Sequence, residues 1–281
     1  MTNAQFDEWL INDQRRPLIM GVLNVTPDSF SDGSRFFDPR TAADHARRMA
    51  DAGADLIDIG GESTRPGSDR VDSTEQIRRI LPVFDAIAGK VAAVLSVDST
   101  RADVAEAALD RGAYLINDIS AATDDPRMLP LAAGRGAPIV LMHKQGEPKT
   151  MQVAPAYGDV VAEVLGHLRG RLEAATAAGV PPHRVVLDPG IGFGKSLDHN
   201  LALLRNLNRF TSLGRPLLLG VSRKGFIGRV SGETEASQRL FGTAAAVAWC
   251  AANGAGILRV HDVDEMSKVV RVVDAIRRAG E

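Results

Sequence analysis

The chain has 281 residues, 44% apolar and 24% charged, and its 35 acids against 33 bases leave a net charge of -2. This composition excludes a disordered, collagen-like or disulfide-built chain, and the near-neutral balance leaves no electrostatic footprint for nucleic acid. A chain of this length forms one large domain or two small ones and buries roughly three quarters of its unfolded surface, so its core needs no staples.

Residues Met1 to Arg16 are polar and lack the apolar run of a signal peptide, so 1–16 are expected to be an N-terminal segment ahead of a single unit over 17–281. The single Cys250 excludes an internal disulfide and a multi-cysteine zinc site. From there on, short branched apolar runs alternate with Ala-, Arg- and Glu-rich stretches of helical period. The runs are Leu18–Val25, Leu56–Ile59, Val91–Val97, Tyr114–Ile119, Ile139–Met142, Val185–Leu187, Leu217–Val221 and Ile257–Val260. Helix starts are expected where capping chemistry falls between them. Asp38-Pro39 and Asp125-Pro126 each pair an acid with proline at the first helical position, and Thr100 with Asp103 and Asp262 with Glu265 form capping pairs. The uncharged stretch Leu240 to Leu258 is long enough to span a bilayer, but its Ala-rich composition and the Asn253-Gly254 break make it a helix followed by a strand. A cytoplasmic protein with no membrane partner is expected.

Eight strands alternating with helices in this length predict an α/β TIM (β/α)8 barrel, with a doubly wound open sheet as the alternative. Nearly every run ends in a group able to do chemistry: Asn24, Asp58, Asp98, Asn117, His143, Asp188, Lys224, and Arg259 with His261. Singly, each is explained as well by a helix cap or a satisfied buried polar group. Together they fall where a barrel keeps its active face, at the strand C-termini.

Three familiar motifs fail. Gly190 to Ser196 ends like a phosphate-binding loop but has Pro189 in place of its first glycine, and the dinucleotide fingerprint finds Lys195 where it needs a third glycine. Gly220-Val-Ser222-Arg-Lys224 has lysine where a nucleophile elbow needs glycine. No metalloprotease spacing joins the six histidines. The loops Thr26–Phe37 and Gly60–Asp72, rich in Gly, Pro and Ser, are long enough to be expected as mobile lids.

These residues carry a resemblance. Met20-Gly-Val-Leu-Asn-Val-Thr-Pro-Asp-Ser-Phe-Ser-Asp-Gly33 and Asp58-Ile-Gly-Gly-Glu-Ser-Thr-Arg-Pro-Gly67 resemble the two signatures of the dihydropteroate synthase family. Ser96-Val-Asp98, Ile116-Asn-Asp-Ile119, Leu141-Met-His143, Leu187-Asp-Pro-Gly-Ile-Gly-Phe-Gly-Lys195, Ser222-Arg-Lys224 and Arg259-Val-His-Asp262 follow in the family's order, over roughly residues 17–279. The resemblance implies a TIM barrel that joins 4-aminobenzoate to 6-hydroxymethyl-7,8-dihydropterin diphosphate with magnesium, releasing diphosphate and 7,8-dihydropteroate.

It also implies roles. Asp98, Asn117, Asp188 and Lys224 match the family's ligands to the pterin edge; Ile119, Met142 and Phe193 match its walls, and Gly220 leaves room for the ring. Asn24 matches the magnesium contact and, with Thr64, Arg259 and His261, holds the diphosphate. Phe30, Thr64, Arg65, Pro66, Phe193, Lys224 and Gly225 surround 4-aminobenzoate, for which sulfonamides compete. Asp32 stabilises the cation left by diphosphate departure, so the resemblance implies an SN1-like step without an enzyme nucleophile. Gly225 departs from the serine many relatives carry, and Ser99-Thr100 departs mildly. A pterin-dependent methyltransferase of the same superfamily, or a non-catalytic pterin-binding relative, is the alternative. The nearly all-apolar stretch Phe241–Ala252 is expected to be buried on every side, in a homodimer interface or beneath the N-terminal segment.

Overall fold

The computed structural model describes residues 1–26, 39–63, 68–147 and 149–280. Eight strands form one parallel sheet: β1 (Leu18–Asn24), β2 (Leu56–Gly60), β3 (Val94–Asp98), β4 (Leu115–Asp118), β5 (Ile139–Met142), β6 (Val185–Asp188), β7 (Leu218–Leu219) and β8 (Ile257–Val260). The order β6-β5-β4-β3-β2-β1-β8-β7 is closed into a barrel by a parallel bridge between Leu187 and Leu217. All eight expected strands are present, and the open-sheet alternative is excluded.

Helices α2 (Pro39–Asp51), α3 (Ser73–Ile87), α4 (Ala102–Leu109), α5 (Met128–Arg135) and α6 (Val160–Ala177) follow β1 to β5 in turn. The pair α7 (Leu197–Arg205) and α8 (Leu207–Thr211) follows β6, the short α9 (Gly225–Ser231) and α10 (Leu240–Ala252) follow β7, and α11 (Val263–Arg277) ends the chain. Outward strand residues such as Ile57, Leu95, Ile116 and Leu258 pack beneath the helices. Gly21 lets the ring of helices approach β1, because a Cβ there would meet the Met49 sulfur at 2.7 Å.

Alternation along the strands builds the barrel interior. At the N-terminal end Leu18, Met20, Leu56, Val94, Leu115, Val140, Val186, Leu218 and Ile257 form one apolar cluster. Helix α1 (Asn3–Ile11) adds Phe6, Trp9 and Leu10 to it, plugging this end. Two residues further along five of the eight strands the same interior column becomes polar: Asp58, Ser96, Asn117, Asp188 and Arg259. The fold therefore places a dry core and a polar chamber end to end inside one sheet.

Some caps differ from expectation. Asp38 lies outside the described residues. Asp125 stands three residues ahead of α5: its Oδ1 accepts the Arg127 N–H as a cap would (3.0 Å), while its Oδ2 reaches back to the Ala102 N–H at the start of α4 (3.0 Å). Neither Thr100 nor Asp262 caps its helix through its side chain, because the carboxylate of Asp262 is engaged by Arg223 and Ser99 accepts the Arg101 N–H. Within the single chain, α10 is covered on one side. It covers Thr243, Val247, Cys250 and Ala251 but leaves Phe241 87% exposed, and the N-terminal segment packs under the barrel instead of over it.

Candidate active site

The C-terminal ends of the strands surround a cavity that is partly open to solvent. Its lining includes Asp98, Asn117, Ile119, Met142, Asp188, Phe193, Gly220, Lys224, Arg259 and His261, together with Val22, Ile191 and Ser222. Every residue expected at the pterin edge and walls is therefore brought to one chamber. Asn24 ends β1 at the same end of the barrel, half-buried, outside this lining. Gly225 opens α9 beside Lys224 and is exposed. Phe30, Asp32, Thr64, Arg65 and Pro66 lie outside the described residues.

The chamber's charges are arranged in opposition. Arg259 donates through Nε to Asp58 and through Nη2 to Asp98, both at 2.7 Å. Burial, with Arg259 opposing it and Asp58 adding to it, pushes the Asp98 carboxyl up to about 7. Burial also pushes Asp188 up to about 6, against the bond its Oδ1 accepts from the Gly190 N–H at 2.7 Å. Lys224 forms no ion pair with Asp188 within 4.0 Å among the described residues. Its ammonium sits 4.1 Å from the centre of the Phe193 ring, and burial lowers it to about 8. Asp188 and Lys224 thus both line the cavity with no bridge between them. His261 Nδ1 lies 3.1 Å from Ser222 Oγ, which also accepts the His261 backbone N–H, so the histidine is fixed to the end of β7.

The glycine pattern after β6 has a packing cause. At Gly190 and Gly194 the backbone is left-handed, with φ of 69° and 62°. A Cβ would fall 1.8 Å from the His143 carbonyl oxygen and 2.2 Å from that of Gln145. The loop presses against the chain leaving β5, which is why it resembles a nucleotide loop without being one. Lys195 pins the two together: its buried ammonium lies 3.0 Å from both His143 Nδ1 and the Phe193 carbonyl. Burial lowers Lys195 to about 7 and His143 to about 3, so His143 is neutral and its Nδ1 accepts.

Sequence reasoning missed the part played by Lys195, and it noted Asp58 only as one strand-end acid among several. Neither lines the cavity. At the mouth, Arg70 binds Asp124 (3.0 Å) and Glu147, and Lys144 binds Asp124 (3.0 Å), tying together the segments that follow β2, β4 and β5. Among the described residues no group of three His, Cys, Asp or Glu side chains could hold a metal ion. No helix there is long and apolar enough to cross a membrane.

A parallel barrel that gathers carboxylates, an amide and a lysine over apolar walls fits a flat heterocycle with a polar edge. The chain belongs to the pterin-binding enzyme family, whose profile matches residues 20–261. Within it the similarity is to dihydropteroate synthases. The enzyme of that name from Synechocystis is 45% identical over 264 residues, 94% of this chain and 91% of its own. The fold of the Xanthomonas albilineans dihydropteroate synthase, solved with 4-aminobenzoic acid, superposes with a TM-score of 0.89 at 44% identity, covering 94% of each chain. The Yersinia pestis enzyme, solved in a complex with a sulfonamide drug, gives 0.89 at 44% identity over 95% of this chain and 96% of its own.

Proposed function

We infer that this chamber catalyses dihydropteroate synthesis, a step of folate biosynthesis. The observation that carries the reading is the convergence of Asp98, Asn117, Asp188 and Lys224 on one cavity walled by Ile119, Met142 and Phe193. An aminopyrimidinone edge offers N–H donors, which carboxylates and an amide oxygen accept, and carbonyl and ring-nitrogen acceptors, which an ammonium serves. Charged side chains this deep are costly without a partner, and a pterin supplies it. Gly220 opens onto the chamber with no heavy atom within 4 Å of a built Cβ, leaving space for the ring.

Arg259 has two of its five N–H groups committed to Asp58 and Asp98. The remaining donors, with His261, suit the oxygens of the departing diphosphate. The exocyclic C–O bond breaks and its electron pair leaves with diphosphate. The pterin carries the resulting cation, with Asp32 placed by the resemblance to stabilise it. The amine of 4-aminobenzoate then attacks the methylene carbon and gives up a proton. Phe30, Thr64, Arg65, Pro66, Phe193 and Lys224 are proposed to enclose the aryl acid, with Gly225 beside its carboxylate. The X. albilineans complex with 4-aminobenzoic acid and the Y. pestis sulfonamide complex support the same ligands here, sulfonamides acting as competitors.

Magnesium is proposed as the cofactor. The amide of Asn24 makes no hydrogen bond among the described residues and offers a hard oxygen at the diphosphate end. The ion would be held by Asn24 and the diphosphate oxygens, and when bound it would supply charge neutralisation to the leaving group. Residues 1–16 are taken as the plug of a barrel over 17–281, and a cytoplasmic homodimer meeting through the exposed Phe241 side of α10 completes the reading.

The test is diphosphate release with both substrates and magnesium. Release that requires 4-aminobenzoate and yields 7,8-dihydropteroate is expected; release at the same rate without the aryl amine contradicts the reading.

A further inference from the structure

Beneath the chamber floor, Asp58 is fully buried and its carboxylate accepts three side-chain hydrogen bonds. Its Oδ1 accepts from Ser96 Oγ on β3 at 2.6 Å. Its Oδ2 accepts from Asn117 Nδ2 on β4 at 2.8 Å and from Arg259 Nε on β8 at 2.7 Å. Three strands thus send donors to one carboxylate on a fourth. Two of those donors belong to cavity-lining residues, whereas Asp58 does not line the cavity.

We propose that Asp58 is a positioning residue that sets the hydrogen-bonding sense of the pocket, turning the Asn117 amide so that its carbonyl oxygen is left for the ligand. The inference rests on the pterin reading and deepens it. An amide is ambivalent: one end donates and the other accepts, and a half-turn exchanges them. Only the NH2 end can bond to a carboxylate, so the contact with Asp58 decides which end is spent below the floor. The acceptor that remains joins Asp98 and Asp188, and the cavity presents three acceptors together. A ligand edge rich in N–H groups satisfies them, and an edge carrying a carbonyl in place of an amino group sets oxygen against oxygen. Buried acceptors left unpaired in this way are what reject near-isosteric ligands.

The same carboxylate fixes Arg259. With Nε held by Asp58 and Nη2 by Asp98, the guanidinium plane is braced at two corners, and its free N–H groups keep one direction. Asp58 therefore acts through Asn117 on ligand choice and through Arg259 on the leaving group, without touching either substrate.

The test is calorimetric binding of 6-hydroxymethylpterin and of its 2,4-dioxo counterpart, in which a carbonyl replaces the amino group, to the wild-type chain and two variants. Wild type should prefer the amino compound. Asp58→Leu removes the acceptor and lets the Asn117 amide turn, so the preference should fall by about tenfold, the worth of one hydrogen bond. Asp58→Asn keeps an amide oxygen towards Asn117 and Arg259 and donates to Ser96 Oγ. It should weaken binding of both compounds while holding the preference within about threefold. If the leucine variant does not fold, the asparagine variant decides: loss of the preference there shows that charge, and not orientation, was the cause, and overturns the proposal. An unchanged preference in a folded Asp58→Leu chain overturns it as well. Failure of the wild type to bind the amino compound overturns the pterin reading itself, which separates the two failures.

Discussion

The two halves of the barrel interior are built on the same strands and differ in what their inward residues do. At the N-terminal end, Leu56, Val94, Leu115, Val140, Val186 and Ile257 meet α1 in a dry cluster whose polar demands are nil. One inward step further, Asp58, Ser96, Asn117, Asp188 and Arg259 place charged and hydrogen-bonding groups inside the barrel. The lower half lowers the free energy of the fold. The upper half raises it, in exchange for groups that a ligand completes.

The largest effects should separate the halves most cleanly. Leu115→Ala deletes a fully buried side chain and should lower the unfolding free energy by about 2–5 kcal/mol. Its Michaelis constants should stay near those of the wild type. Asp188→Ala should do the reverse, abolishing dihydropteroate formation in a folded chain. Denaturant unfolding and turnover on both proteins check this. A mutant at Leu115 that keeps its stability, or one at Asp188 that keeps its turnover, breaks the comparison.

A pH series sharpens it, because the two consequences have opposite signs. Asp98 and Asp188, pushed up to about 7 and about 6, are charged acceptors only above those values. Pterin binding should therefore weaken as pH falls through 7 to 5. In the unfolded chain the same carboxyls hold their protons only below about 4. Between about 4 and 7 the folded chain binds more protons, so their contribution to stability rises as pH falls. Asp188→Asn lacks one of these protons. The stability difference between it and the wild type should shrink from pH 8 to pH 5, and a difference that grows on acidification contradicts the assignment.

How much was legible in the sequence follows from the same division. The strands were visible because each is a short run of branched apolar residues, buried on both faces, and the barrel because eight such runs alternate with helices. Asp98, Asn117, Asp188, Lys224, Arg259 and His261 were visible because each ends or follows a run, and the structure brings them to one cavity. What the sequence hid are bonds between distant positions. Arg259 and Asp58 are 201 residues apart, and nothing local tells that one braces the other. Lys195 sat in a failed nucleotide motif, and only the neighbouring His143 shows why a lysine is buried there. The caps misled for a related reason. Asp262 has capping-type chemistry, but Arg223 claimed its carboxylate, and Asp125 divides its own between the local Arg127 N–H and the distant Ala102 N–H.

A smaller effect probes the mouth. Gly225 has open space where a Cβ would go, so Gly225→Ser should fold normally. One added hydrogen bond to the aryl carboxylate is worth about 1 kcal/mol, a change of less than about tenfold in the Michaelis constant for 4-aminobenzoate. The constant for the pterin diphosphate should barely move. The opposite pattern would place this loop against the other substrate.

The claim that the upper half is kept for chemistry at the expense of stability is tested most directly at Lys224. Burial lowers its ammonium from 10.5 to about 8, so the fold disfavours the charged form and carries that penalty below pH 8. Denaturant unfolding of Lys224→Met at pH 7, measured beside turnover, should show a chain about 1–2 kcal/mol more stable than the wild type, the gain shrinking as pH rises towards 10.5, and no dihydropteroate formed. A variant that is less stable than the wild type, or that still turns over, would contradict the account.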